Sequence, residues 1–84
     1  MYCQINDPKN IKALMLLIGK EKLIPAFESQ IGIPWKEAKL SNFYACGLGY
    51  KDNKGVLYYL DGKHKYGSLV IECPIEYILE VRNL

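Results

Sequence analysis

The apolar positions change period along the chain. Ile11, Leu14, Met15 and Ile18 fall at i, i+3, i+4 and i+7, one face of a helix. Asp7 can accept hydrogen bonds from the first free N–H groups, and Pro8 suits the first helical position. Gly19 is a suitable stop. Leu16 and Leu17 widen the apolar arc, which predicts a helix covered on more than one side. A second helix is predicted between Lys20 and Gly32, with Leu23, Ile24, Phe27 and Ile31 on its apolar face. Proline inside a helix removes a hydrogen bond and clashes with the preceding turn. Pro25 therefore places the regular part at Ile24 to Ile31. Trp35 to Leu40 follows as a short third helix with Pro34 in its first turn, and Trp35 is expected at the helix–sheet boundary.

The period then drops to two. Phe43 to Tyr50, Val56 to Leu60 and Ser68 to Cys73 are short aromatic or β-branched runs separated by Gly, Asn and Asp clusters. The clusters suit tight turns, so an antiparallel meander is expected. Val56, Tyr58 and Leu60 share one face of the middle strand, and Leu57 and Tyr59 share the other. Neither face is polar, as expected of a central strand. Gly47 and Gly49 mark a bulge, a close backbone approach or a loop. Tyr2 to Ile5 fits an edge strand. Pro74 ends the third run. Ile75 to Arg82 reads as a strand, with Ile75, Tyr77, Leu79 and Val81 inward, or as a helix, with Ile75, Ile78, Leu79 and Arg82 on one face. Counting matches favours the strand.

The expected architecture is a single α+β domain over residues 1–84. Its helical N-terminal half, of two to three helices, packs on an antiparallel sheet of three to five strands. Half of the 84 residues are hydrophobic, enough for a core and against disorder. No apolar run approaches the roughly 20 residues that span a bilayer, so no membrane partner is expected. The N-terminus carries no signal-peptide pattern. The three cysteines, Cys3, Cys46 and Cys73, are odd in number and widely spaced, unlike a disulfide framework or a zinc site. Buried thiols in a reducing cytoplasm are expected. A Cys46–Cys73 bridge remains open should their strands be neighbours.

Residues Phe27 to Ala38 read as a helix, a turn glycine flanked by Ile31 and Ile33, and a second helix. This pattern resembles the Gly-centred turn of DNA-binding helix-turn-helix domains. The resemblance implies a recognition helix bearing Lys36 and Lys39. Glu28 stands where such motifs place a small residue, and the chain's one arginine, Arg82, lies far away. Arginine makes the commonest specific base contact. The tyrosines Tyr44, Tyr50, Tyr58, Tyr59 and Tyr66, with Lys51, Lys54, Lys63 and Lys65, also match the composition of single-strand nucleic-acid surfaces.

Catalytic chemistry has little support. Gly47-Leu48-Gly49 lacks the third spaced glycine and the following helix of a phosphate loop. His64, the only histidine, sits in a turn with lysines. No enzyme activity and no cofactor are expected. The net charge of +2 is too small to imply a nucleic-acid or membrane partner by itself. The expected function is protein–protein recognition by a regulatory, inhibitor or immunity-type module. It would bind through a tyrosine-rich sheet with lysine-tipped turns: Tyr50, Lys51, Lys54, Tyr59, Lys63, His64, Lys65 and Tyr66. Self-association through a sheet edge is a further option. The alternatives are nucleic-acid binding, or a small-ligand sensor or enzyme accessory subunit, for which a preformed apolar pocket would be the sign.

Overall fold

The fold was analysed in a computed structural model that describes residues 4–48 and 54–84. Strand β1 (Gln4–Ile5) leads into helices α1 (Pro8–Ile18) and α2 (Lys20–Ile31). Two single 3-10 turns, Trp35–Glu37 and Leu40–Asn42, connect α2 to strands β2 (Phe43–Leu48), β3 (Lys54–Tyr59) and β4 (Ser68–Pro74). Helix α3 (Ile75–Val81) follows. The strands form one antiparallel sheet in the order β1-β2-β3-β4, so β3 is central as expected.

Helix α1 begins and ends where its sequence signals stand. The Asp7 side chain accepts a hydrogen bond from Lys9 N–H at 2.9 Å, and Gly19 N–H donates to Met15 O. Ile11, Leu14 and Ile18 are its buried residues. Helix α2 departs from expectation. It starts at Lys20 and carries Pro25 in its interior. Pro25 and Glu21, whose carbonyl loses its partner, are both exposed, so the lost bond faces water rather than the core. Leu23 and Phe27 supply the buried face. The third helix reduces to the two 3-10 turns.

The inner face of the sheet carries Phe43, Ala45, Leu57, Tyr59, Val70 and Cys73, which merge with Ile11, Leu14, Leu23 and Phe27 of the helices into one core. At one end of that core, Trp35 meets Phe27 edge-on at 5.3 Å and lies 6.0 Å from Phe43, at the helix–sheet boundary. A register shift between Leu57 and Tyr58 lets Val70 turn inward as an extra residue on β4.

The strand reading of Ile75 to Arg82 is corrected. This segment is a helix that returns across β2 and β3 and packs against α1. Ile78 is buried and Leu79 is exposed, the reverse of what the strand alternation requires. The physical reason lies in the sheet beneath it. Gly47 and Gly55 face each other across β2 and β3. A Cβ on Gly55 would stand 2.5 Å from Ile78 Cγ1, and one on Gly47 would stand 2.5 Å from Ile75 Cδ1. The two glycines therefore form a seat without side chains on which α3 rests. Gly47 is the close backbone approach anticipated from sequence; Gly49 lies outside the described residues.

Cys46 and Cys73 are both buried and do not bridge each other. They sit on β2 and β4, with β3 between them. Burial pushes the Cys73 thiol up to about 11. Among the described residues, no helix is long and apolar enough to cross a membrane.

Candidate functional site: the outer face of the sheet

Among the described residues, the helices pack on the inner face of the sheet. The outer face is set by the register, which aligns Tyr44, Tyr58 and Leu69 in one row across β2, β3 and β4. None of the three belongs to the core cluster. The Tyr44 and Tyr58 rings stack at 5.1 Å with 19° between their planes. Leu69 is 37% exposed. The next row holds Cys46, Val56 and Glu72; Cys46 and Val56 are buried. Lys54 reaches across this face to Glu72 at 3.4 Å, with both side chains about half exposed. That exposed pair contributes little to stability.

The β3–β4 loop frames one end of the row. Asp61 organises it. One carboxylate oxygen accepts from Lys63 N–H at 3.0 Å and His64 N–H at 3.1 Å. The other accepts from the Ser68 hydroxyl at 2.6 Å and lies 2.9 Å from His64 Nδ1. The Asp61 side chain is only 10% exposed. The Ser68 hydroxyl, then the Lys63 N–H and the two His64 groups, hold its carboxyl well below the usual carboxylate range. The loop is also pinned to β2 and to the 3-10 turn before it. Tyr44 Oη donates to the Tyr66 carbonyl, and Leu60 N–H donates to Asn42 O at 2.8 Å.

Asp61, His64 and Ser68 are the residue types of a nucleophilic triad. Their geometry is different. Both Ser68 Oγ (3.1 Å) and Asp61 Oδ2 approach the same imidazole nitrogen, Nδ1. A proton relay uses the two ring nitrogens in line, with the serine on the far one. Here the serine hydroxyl donates its hydrogen bond to the carboxylate, and the cluster latches the loop. Among the described residues, no group of three His, Cys, Asp or Glu side chains is placed to hold a metal ion.

The sequence-predicted contact residues separate into four groups. Lys63, His64, Lys65 and Tyr66 stand together and exposed on the latched loop. Tyr66 is 69% exposed, with Lys65 Nζ 5.4 Å from its ring centre. Lys54 is exposed on the outer face, engaged with Glu72. Tyr50 and Lys51 lie outside the described residues. Tyr59 is corrected: it is a core residue. Its ring packs edge-on against Phe27 at 5.0 Å and Phe43 at 4.7 Å, and its hydroxyl accepts from Lys39 N–H. Tyr59 points inward because it is one residue out of phase with Tyr58. Tyr44, Tyr58 and Leu69 were absent from the predicted set. The alternation had already placed Tyr58 and Tyr59 on opposite faces, but not which face is outer.

The helix-turn-helix expectation is corrected too. Gly32 does turn the chain, in a left-handed conformation. The segment after it is a three-residue 3-10 turn, too short for a recognition helix. Glu28 ties this turn to α2 by accepting from Trp35 N–H at 2.9 Å.

Comparison with protein-family models, curated proteins and solved structures finds no match.

Proposed function

We propose that this protein is a small, non-catalytic recognition module that binds a protein partner through the outer face of its sheet. The observation that carries the reading is the Tyr44–Tyr58–Leu69 row, which no described helix covers, beside a loop presenting Lys63, Lys65 and Tyr66. Tyrosine rings give large contact area at low entropic cost, which suits the centre of an interface. The lysines form a basic rim that steers acidic surfaces toward the patch. The Asp61 latch preorganises the loop, so less ordering entropy is lost on binding. A regulatory, inhibitor or immunity-type protein acts in this way by covering its partner's surface.

The test is affinity capture with the wild type and with a Tyr66→Ser/Leu69→Glu variant, with nuclease treatment and high-salt washes. A discrete protein that survives both treatments and is lost with the variant is the expected result. Both substituted side chains are exposed, so the variant should melt near the wild-type temperature. Equal capture by both proteins overturns the reading. Recovery of nucleic acid that disappears at high salt reassigns the stacked tyrosines and lysines to single-stranded nucleic acid.

A further inference from the structure

We propose that a groove on the opposite, helical side of the molecule binds an amphipathic monoanion, a long-chain carboxylate, independently of the sheet face. The groove has a volume of about 380 Å³ and lies between α1, the start of α2 and Trp35. Ligand sites for small molecules begin at roughly 300 Å³.

The groove follows from the sequence of α1. Ile11, Leu14 and Ile18 point into the core. Lys12, Met15, Leu16 and Gly19 repeat at i, i+3, i+4 and i+7 on a neighbouring stripe, and all four line the groove. Leu16 is 79% exposed and lies beside Met15 and Trp35 in the groove lining, so it extends an apolar surface there. Buried Leu23 lines the groove from α2, and the half-buried Trp35 ring lines it from the far side. At Gly19, where α1 turns into α2 with φ of 92°, the missing side chain leaves that end open.

The charges select the head group. Lys12 and Lys20 stand on the rim. Lys36 borders an adjoining depression that shares Met15 and Trp35. Among the described residues, the ion pairs are Lys54–Glu72 and His64–Asp61, so these three ammonium groups are uncompensated by any carboxylate at ion-pair distance. Glu21 is the acid closest to Gly19, 3.6 Å from where a Cβ would be. An apolar tail along Met15, Leu16 and Trp35, with a carboxylate between Lys12 and Lys20, matches both the lining and its rim.

Trp35 is the chain's only tryptophan, so its emission reports occupancy directly. Dodecanoate would be titrated below its micelle concentration into wild type, Lys12→Glu/Lys20→Glu and Leu16→Ser, with dodecyltrimethylammonium as the charge control. The expected result is a saturable blue shift with dodecanoate. Affinity should fall at least tenfold in the charge-reversed variant and several-fold in Leu16→Ser, whose exposed position leaves folding intact. The cationic amphiphile should prefer the charge-reversed variant. Absence of a saturable shift, equal affinity for both amphiphiles, or indifference to the charge reversal overturns the proposal. A shift that depends on protein concentration alone would assign the groove to a second copy. A response to an acidic amphipathic peptide but not to dodecanoate would assign it to a protein partner. Either of these also overturns it. Because the sheet face is not involved, Tyr66→Ser/Leu69→Glu should bind dodecanoate like the wild type.

Discussion

Replacing Gly55 by alanine tests the seat on which α3 rests. The added Cβ would lie 2.5 Å from Ile78 Cγ1, 2.9 Å from Cys73 Sγ and 3.2 Å from Ile78 Cδ1. Two neighbours meet it at once, and Ile78 is fully buried, so neither can swing away into solvent. Overpacking of this kind costs about 1–3 kcal/mol. Alanine restricts the unfolded chain more than glycine does, which returns about 0.4–1 kcal/mol. The net expectation is a loss of about 1–2 kcal/mol. For a domain of this size that corresponds to a fall of roughly 5–15 °C in Tm. Thermal unfolding followed by circular dichroism measures it directly. The clash should also depend on Ile78. In an Ile78→Ala background, itself destabilised by about 2–5 kcal/mol, the new methyl enters vacated space and most of its penalty should vanish. A Gly55→Ala protein that melts at or above the wild-type temperature would refute the packing of α3 on these glycines. So would a full penalty in the Ile78→Ala background.

Three other outcomes follow from the fold. Leu14→Ala, which empties a fully buried position on α1, should cost about 2–5 kcal/mol in urea unfolding; a loss under about 0.5 kcal/mol would place that helix face elsewhere. Pro25→Ala should stabilise by about 1–2 kcal/mol, because it restores an N–H to the interior of α2 and outweighs the entropic advantage of proline; a destabilised variant would contradict the helix assignment across Lys20–Ile31. Asp61→Asn should weaken the loop in a pH-dependent way. The Asp61 carboxyl titrates lower in the folded than in the unfolded chain, so its contribution is present above the unfolded value and fades as pH falls below it. The stability gap between wild type and Asp61→Asn should therefore be full at pH 7 and shrink below about pH 4, and a gap that widens on acidification would reverse the sign.

Local signals carried much of this fold. Asp7, Pro8, Gly19 and Gly32 act on the backbone within a turn of themselves, so their effect was legible without tertiary information. The meander was legible for the same reason, since its strands alternate with turn-forming clusters. Pro25 misled because its penalty depends on whether the freed carbonyl is wet, which only the fold decides. Ile75 to Arg82 misled because both periods fit its apolar residues. The arbiter was the seat made by Gly47 and Gly55, some 20 to 28 residues earlier in the chain. At the candidate site, the exposed loop residues Lys63 to Tyr66 were legible from their turn chemistry. Tyr58 and Tyr59 were separable by phase but not assignable to inside or outside, because that choice is made by the helices packed on one face. The Asp61–His64–Ser68 latch required the loop to close, and spacing alone did not reveal it.

The central claim is that recognition occurs on the outer face of the sheet. Chemical-shift mapping of the isotopically labelled protein with its captured partner tests it most directly. The account predicts perturbations centred on Tyr44, Tyr58, Leu69 and residues 63–66, with Leu16 and the Trp35 indole unmoved. Perturbations centred on α1 and Trp35, or running along the outer edge of β4 and sparing the tyrosines, would contradict it.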